Sequence, residues 1–368
     1  STSQGTYATA VGSNAGQYNQ GANTVAVGRE AGYQNQDSNA TAVGYETGQY
    51  NQGSGATAVG YLAGNTSQGN NAVAVGISAG ESSQGVNTVA VGRSTGRYNQ
   101  GAYATAVGYL AGYSAQGTET IAVGYFAGKS NQTFRSIAIG AYAGECQQGD
   151  SSIAIGRVSG QISQGDDAIA IGRTAGTTSQ GINTIAIGFD AGRYNQVRNT
   201  VAVGYYAGNS NQSIYAVAVG TSAGRFNQGD QGVAIGESAG TYNQGDAATA
   251  VGTNAGYSAQ GSYATALGRY AGHSAQSDNA VAVGYQAGRN NQGSNSIAMG
   301  NSAGCNNQGI QSVAVGYQAG RYNQSNYAVA VGRDAGMTSQ GTYAVAMGQE
   351  AGKHNQGSRA VAVGFLAG

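Results

Sequence analysis

The residues of this chain that could carry acid–base, nucleophilic or metal chemistry are few and widely spaced. The two histidines, His273 and His354, lie 81 residues apart, and the two cysteines, Cys146 and Cys305, lie 159 residues apart. A catalytic or metal site needs several unlike groups that converge on one point. The sequence therefore predicts no catalytic, cofactor-binding or metal-binding residue, and we expect no cofactor and no enzymatic activity.

The carboxylates recur at one place of a repeat rather than gathering into a cluster. Asp150 and Asp166 lie 16 residues apart and are expected to be stacked neighbours, as are Asp230 and Asp246. Such a pair could hold a cation weakly, but a solvated turn is the favoured interpretation. The question then becomes which elements place these residues one above the other.

The whole chain is an unbroken 16-residue repeat, and 23 copies of it account for all 368 residues. We number the positions of the repeat 1 to 16 from Ser1. Position 4 is Gln, position 10 is Ala, and positions 12 and 16 are Gly in all 23 copies. Position 9 is always Val, Ile or Thr, and position 11 is always Val, Ile, Leu or Met.

This pattern predicts an all-β fold, a parallel β-solenoid of 23 coils with 16 residues each. Two fixed glycines per repeat oppose a helix, whereas β-branched residues at positions 9 and 11 favour a strand. We place strands near positions 7 to 11 and near positions 14 to 2, with glycine corners between them. Stacked repeats bury a core that one repeat cannot bury alone. We expect one repeat domain over residues 1–368, as a piece of a longer or processed protein.

Identical residues of successive coils should form rows along the solenoid. The aliphatic rows at positions 9 and 11 are predicted to form the core, with the alanine of position 15 opposite them. The glutamine row should form an amide ladder in which each side chain bonds the next coil or a turn backbone. Representative members of the predicted structural rows are Gln20, Ala26, Gly28, Gly32, Gln180, Ala186, Gly188 and Gly192.

Positions 8 and 10 lie on the strand face opposite positions 9 and 11, and they hold no charged residue in any copy. A strand that is apolar on both faces is usually buried on both. We therefore predict that this second face packs against another copy of the chain, at residues such as Ala168, Ala170, Ala216 and Ala218.

The strand motif resembles the head repeat of trimeric autotransporter adhesins, and similar repeats occur in viral and phage fibre proteins. The residues that carry the resemblance are Ser136–Gly140, Ser152–Gly156 and Ser312–Gly316, and every copy has a variant of this motif. The resemblance implies a left-handed β-roll, three chains side by side, and a role in attachment at a cell or virion surface. A host-surface or glycan receptor would then be the partner.

The net charge and the length of the apolar stretches limit the functions that remain. The net charge is zero, which predicts no binding of nucleic acid. No apolar stretch reaches the ~18 residues that a membrane helix needs, which predicts no membrane insertion. An extracellular or virion-surface fibre or adhesin head is therefore the favoured function. The alternative is an ice-binding solenoid that presents positions 8 and 10 as a flat Ala/Thr face.

Overall fold

The computed structural model describes residues 3–368 and has two compact units, Ser1–Asn183 and Thr184–Gly368. Each unit consists of 16-residue turns that contribute two short parallel strands apiece, and the described residues contain no helix. The predicted all-β parallel solenoid is therefore confirmed. The prediction that residues 1–368 form one domain stays a prediction.

The strands belong to two sheets, which we name after their residues. The aliphatic sheet holds positions 9 to 11 of each coil, and the glutamine sheet holds positions 2 to 4. In the first unit the aliphatic sheet consists of β1 Thr9–Val11, β3 Val25–Val27, β5 Thr41–Val43, β7 Thr57–Val59, β9 Val73–Val75, β11 Val89–Val91, β13 Thr105–Val107, β15 Ile121–Val123, β17 Ile137–Ile139, β19 Ile153–Ile155 and β21 Ile169–Ile171. Its glutamine sheet consists of β2 Tyr18–Gln20, β4 Gln34–Gln36, β6 Tyr50–Gln52, β8 Thr66–Gln68, β10 Ser82–Gln84, β12 Tyr98–Gln100, β14 Ser114–Gln116, β16 Ser130–Gln132, β18 Cys146–Gln148, β20 Ile162–Gln164 and β22 Thr178–Gln180.

The second unit is built in the same way. Its aliphatic sheet consists of β23 Ile185–Ile187, β25 Val201–Val203, β27 Val217–Val219, β29 Val233–Ile235, β31 Thr249–Val251, β33 Thr265–Leu267, β35 Val281–Val283, β37 Ile297–Met299, β39 Val313–Val315, β41 Val329–Val331, β43 Val345–Met347 and β44 Val361–Val363. Its glutamine sheet consists of β24 Tyr194–Gln196, β26 Ser210–Gln212, β28 Phe226–Gln228, β30 Tyr242–Gln244, β32 Ser258–Gln260, β34 Ser274–Gln276, β36 Asn290–Gln292, β38 Asn306–Gln308, β40 Tyr322–Gln324 and β42 Thr338–Gln340.

Neighbouring strands of a sheet are parallel and pair each residue with the residue 16 positions further on. Ile121 pairs with Ile137 and Ala122 with Ala138 in the aliphatic sheet, and Gln212 pairs with Gln228 in the glutamine sheet. This register confirms the prediction that identical residues form rows.

Two four-residue turns join the strands, and they explain why the strands are shorter than predicted. The amide of position 8 donates to the carbonyl of position 5, as between Ala72 and Gly69 at 3.2 Å, and the amide of position 15 donates to position 12, as between Ala143 and Gly140 at 3.3 Å. The third residue of each turn, at position 7 or 14, has positive φ, as type II turns require. These turns take up positions 5 to 8 and 12 to 15, so the first strand covers only positions 9 to 11 and the second only positions 2 to 4.

The two invariant glycines occupy places that exclude a side chain, as predicted: position 12 by its backbone and a neighbouring carbonyl, and position 16 by the packed glutamine and alanine side chains. At position 12 φ lies between 121° and 136°, and at position 16 it is close to 50° in most coils, as at Gly192. A β-carbon on Gly220 would lie 2.7 Å from the carbonyl oxygen of Gly236 in the next coil. Both the backbone conformation and the approach of the neighbouring coil thus require glycine here.

The left-handed backbone conformation of position 14 can be tested by substitution. Val158 occupies the left-handed region with φ 63°, which is unfavourable for a β-branched residue. Asn254 has the same position with φ 56°, and asparagine tolerates this region well. We expect Val158→Asn to raise the free energy of unfolding by about 1 kcal/mol, measured by urea denaturation. Val203→Asn, which makes the same change in an extended strand, should not stabilise the protein.

The core differs from the predicted one, because it consists of alanine and glutamine rather than of the larger aliphatic residues. The alanines of positions 10 and 15 are fully buried in all but the first and last coils, and in the second unit they form one cluster that runs from Ala191 to Ala298. The glutamines of position 4 fill the remaining space, with Gln212 at 0% and Gln228 at 1% exposure. Small residues of position 8, such as Thr24 and Ser152, are buried as well, so only small side chains and the glutamines lie between the two sheets.

The glutamine row forms the amide ladder that the sequence predicts. The Nε2 of Gln228 donates to the carbonyls of Val217 and Gly232, both at 2.9 Å. Its Oε1 accepts a hydrogen bond of 3.1 Å from Nε2 of Gln212. A buried amide of this row therefore ties its own turn to the preceding coil and in many coils also bonds the next glutamine, although the row is interrupted where Oε1 has no partner, as at Gln244.

The representative row residues occupy the places described for their positions. Gln20 donates to the carbonyl of Gly32 at 2.8 Å, and Gln180 donates to that of Ile169 at 2.9 Å. Ala26 and Ala186 are fully buried. The four corner glycines all have positive φ: Gly28, Gly32, Gly188 and Gly192.

Candidate functional site: the aliphatic face

The outer surface of the aliphatic sheet is an uncharged apolar face, which we call the aliphatic face. Successive side chains of a strand point to opposite sides of a sheet. Because the alanine of position 10 points into the core, the residues of positions 9 and 11 point outward. These two rows hold only Val, Ile, Leu, Met and Thr in all 23 repeats.

The side chains of this face remain accessible although each is flanked by its neighbours in the row. Ile187 is 37% exposed, Leu267 46% and Met299 43%. The backbone beneath them is paired with the adjacent coils, so the face offers side chains and not free amide groups. This strip is present in every coil of a unit, and monomers rarely expose a contiguous apolar patch larger than a few hundred Å².

The predicted subunit interface at positions 8 and 10 is wrong, because the two faces of the strand are reversed. Ala168, Ala170, Ala216 and Ala218 have no exposed surface within the single chain. They pack in the chain's own core and cannot contact another copy. The same burial removes the Ala/Thr face on which the ice-binding alternative depends.

The repeat did contain a signal for the correct direction. Alanine occurs at position 10 in every copy, whereas position 11 accepts Val, Ile, Leu and Met. A tightly packed interior tolerates little change in volume, and an outward row tolerates more. Strict constancy of a small residue was therefore a better indicator of burial here than hydrophobicity.

Two edges of opposite charge border the aliphatic face. The arginine edge comprises positions 13, 14 and 1, and the acidic edge comprises positions 5 to 7. In the first unit the arginine edge has a formal charge of +2 and the acidic edge of −4. In the second unit the corresponding charges are +3 and −1. Side chains of both edges are accessible, as at Arg93, Asp166 and Asp246.

The arginine edge combines ion pairs with cation–aromatic contacts. Nε of Arg97 lies 2.7 Å from a carboxylate oxygen of Glu81 in the preceding coil, and this hydrogen bond raises the pKa of Arg97. The guanidinium of Arg225 lies over the ring of Tyr206 at 4.4 Å. The Nε atom of Arg225 is buried and has no hydrogen-bond partner, so its positive charge is stabilised mainly by aromatic faces.

His273 belongs to the same edge and provides a pH-dependent test. It stacks on Tyr257 with ring centroids 5.1 Å apart. Burial, assisted by the charge of Arg289, lowers the pKa of His273 below its ordinary value. The unfolded chain then binds a proton more readily than the folded one, so folding stability should fall as the pH drops below about 6.5. An NMR titration should place the His273 midpoint below that of the same residue in urea; an equal or higher midpoint would contradict this account.

The remaining groups of the described region that could carry chemistry are the metal-ligating side chains, the two cysteines and the lining of an open groove. Residues 3–368 contain no group of three His, Cys, Asp or Glu residues that could hold a metal ion. Cys146 and Cys305 are free thiols, and burial raises the pKa of each. An open groove of about 440 Å³ lies along the glutamine sheet near Asn131 and Ser163, and no titratable side chain lines it.

Helices that could cross a lipid bilayer do not occur among the described residues.

The carboxylates of position 6 bond the backbone of the preceding coil. Oδ1 of Asp166 accepts a hydrogen bond from the backbone amide of Asp150 at 2.9 Å. These aspartates therefore hold adjacent turns together.

The parallel strands and the rows of identical residues define a β-solenoid repeat protein. Its aliphatic face is apolar and accessible to solvent. Residues 163–191 match the family model of the YadA head domain repeat, in two copies. The resemblance to adhesin head repeats is thus confirmed over these residues, and the chain is adhesin-like in its repeat. YadA-like head repeats are surface-exposed extracellular elements, and they are structural rather than enzymatic. No curated protein matches the chain.

Proposed function

We propose that the chain is a structural and attachment element of an extracellular fibre, as an adhesin head or as part of a virion-surface fibre. In this proposal, copies of the chain associate through the aliphatic face. The observation that carries the proposal is the outward direction of the two aliphatic rows. An apolar strip of this length is unfavourable in water, and a second copy offers a surface of the same shape and spacing.

The edges support a parallel arrangement of the copies. When two copies are related by rotation about an axis along the solenoid, the arginine edge of one lies beside the acidic edge of the next. An antiparallel pair would instead place like edges together. The opposite signs of the two edges therefore favour parallel association, since complementary charges select orientation.

Three copies are the favoured number, because YadA head repeats form homotrimers in general. In a trimer the aliphatic faces would surround the common axis, and the glutamine sheets would face outward. The outward surface would then be available to a host-surface or glycan receptor. Nucleic acid is not a partner in this proposal, and the solenoid does not insert into a membrane.

The test is the mass of the protein in solution after charges are placed on the aliphatic face. We expect the natural sequence to behave as a trimer in light scattering, and the double variant Leu267→Glu and Met299→Glu to behave as a folded monomer. Glutamate at these exposed positions is solvated in the single chain, but in the assembly it would be buried without a partner. High salt should weaken the charged edge contacts and leave the apolar contact.

The matched control is Ala259→Glu with Ala275→Glu, which places the same two charges on the outer surface of the glutamine sheet. Both alanines are exposed, and this variant should keep the mass of the natural protein. If the natural protein is a monomer at micromolar concentration, or if both double variants remain assembled, the proposal is wrong.

A further inference from the structure

Three pairs of tyrosines stack face to face across neighbouring coils. The ring centroids of Tyr45 and Tyr61 are 5.1 Å apart with an interplanar angle of 11°, and those of Tyr109 and Tyr125 are 5.4 Å apart at 12°. Tyr327 and Tyr343 form the closest and most nearly parallel pair, at 4.8 Å and 6°.

The register of the solenoid produces these pairs. The two members of each pair occupy the same repeat position, 16 residues apart. Neighbouring coils lie about 4.8 Å apart. Two tyrosines at the same repeat position in neighbouring coils therefore lie one above the other. Tyr327 is 42% exposed and Tyr343 is 53% exposed, so a small oxidant in solution reaches both phenols.

We propose that Tyr327–Tyr343, together with Tyr45–Tyr61 and Tyr109–Tyr125, are sites of dityrosine formation that join adjacent coils covalently. The co-reactant is a one-electron oxidant of the haem peroxidase type that uses hydrogen peroxide. This modification is independent of the oligomeric state and of the attachment function proposed above.

Coupling of the two phenols is a two-electron oxidation of the pair. Each phenol loses one electron and its hydroxyl proton to give a phenoxyl radical, whose unpaired spin lies partly on the ring carbons next to the C–O bond. Two such carbons form a carbon–carbon bond, and the hydrogen on each of them moves to the phenolic oxygen. The pair has then lost two electrons and two protons, which reduce one hydrogen peroxide to two waters.

The geometry favours coupling within a pair over coupling between molecules. The second ring is held beside the first, so it acts at a high effective concentration. Coupling begins when a ring carbon of one phenoxyl radical approaches the face of the other ring, which the stacked arrangement permits. As the ring hydrogens move to the oxygens, the two rings must turn from a face-to-face arrangement toward a common plane, and exposed side chains reorient within nanoseconds.

The chain contains its own negative controls. Phe226 stacks on Tyr242 at 5.4 Å and 16°, and Phe189 stacks on Tyr205 at 5.2 Å and 15°. These pairs have the same arrangement, but phenylalanine has no hydroxyl to oxidise. They should remain unlinked under conditions that link the tyrosine pairs.

The experiment treats the dilute full chain with horseradish-type peroxidase and hydrogen peroxide, followed by trypsin and mass spectrometry. Trypsin cleaves after Arg321, Arg333 and Lys353, so a link between Tyr327 and Tyr343 joins peptides 322–333 and 334–353. We expect this joined species, lighter than the two peptides together by two hydrogens, in chains that migrate as monomers on a denaturing gel.

Tyr327→Phe keeps the stacked ring and should abolish the joined species, while the links at Tyr45–Tyr61 and Tyr109–Tyr125 persist. Oxidation of the urea-unfolded chain should give a scatter of other tyrosine pairs. The proposal is overturned if the joined peptides are absent from the oxidised natural protein. It is also overturned if they persist in Tyr327→Phe, or if they occur only in chains that have become covalent dimers.

Discussion

Replacing Ala218 with glutamate should unfold the surrounding coils of the second unit, at a cost of about 5 kcal/mol or more. Ala218 has no exposed surface, and it packs within the cluster that contains Ala223 and Ala234. The narrow space between the sheets has no room for a longer side chain, and the carboxylate would have no partner there. Circular dichroism and limited proteolysis would detect the loss of structure.

The adjacent residue of the same strand is the matched control. The side chain of Val219 points away from the core and is only half-buried, so Val219→Glu should cost less than about 1 kcal/mol in the single chain. The pair of variants therefore measures which face of the strand is the inner one. If Val219→Glu unfolds the protein and Ala218→Glu does not, the direction of the strand described above is incorrect.

Gln228→Leu should lower the free energy of unfolding by on the order of 3–5 kcal/mol, although leucine is apolar and similar in size. The change removes the donor that serves the carbonyls of Val217 and Gly232 and the acceptor used by Gln212. Three buried hydrogen bonds are lost, and each contributes about 0.5–1.5 kcal/mol, with more for a group left without any partner; the carbonyl of Gly232 keeps the amide of Val217 at 2.8 Å. Urea denaturation of the natural and variant proteins measures the difference.

The same substitution at an exposed glutamine separates loss of the ladder from a general effect of leucine. Gln349 is exposed on the arginine edge, and Gln349→Leu should change stability by about 0.5 kcal/mol at most. Equal effects at both positions would mean that the buried amide ladder does not stabilise the fold.

The repeat allowed the sheet class, the register and the role of the glutamine row to be predicted. A strict 16-residue period places Gln212 beside Gln228 in any parallel stack. The fixed glycines marked the corners, because only glycine accepts the backbone found at Gly188, and a β-carbon on Gly192 would collide with the side chain of Gln196. These features depend on local conformation and on repetition, and both are visible in the sequence.

The direction of the strands was not predicted, because an alternating pattern identifies two faces without stating which one is internal. The larger aliphatic residues, such as Ile235 and Leu267, were assigned to the core on hydrophobicity alone. Which face is internal depends instead on the distance between the two sheets, and this distance is set by the two turns of each coil. The left-handed backbone at positions 3, 7 and 14 was also missed, since Phe126 and Val158 occupy it as well as asparagine.

The in-register pairing also makes the coil an interchangeable unit of length. Within the second unit, excision of residues 201–216 would bring Val217 onto Ile185 and Gln228 onto Gln196, which repeats pairings already present in the chain. The cut need not fall at a repeat boundary, because any 16 consecutive residues contain one complete turn. Recombination between copies in a gene could therefore lengthen or shorten such a solenoid by whole coils and keep every row, whereas a deletion whose length is not a multiple of 16 residues would leave one coil of the wrong length at the junction.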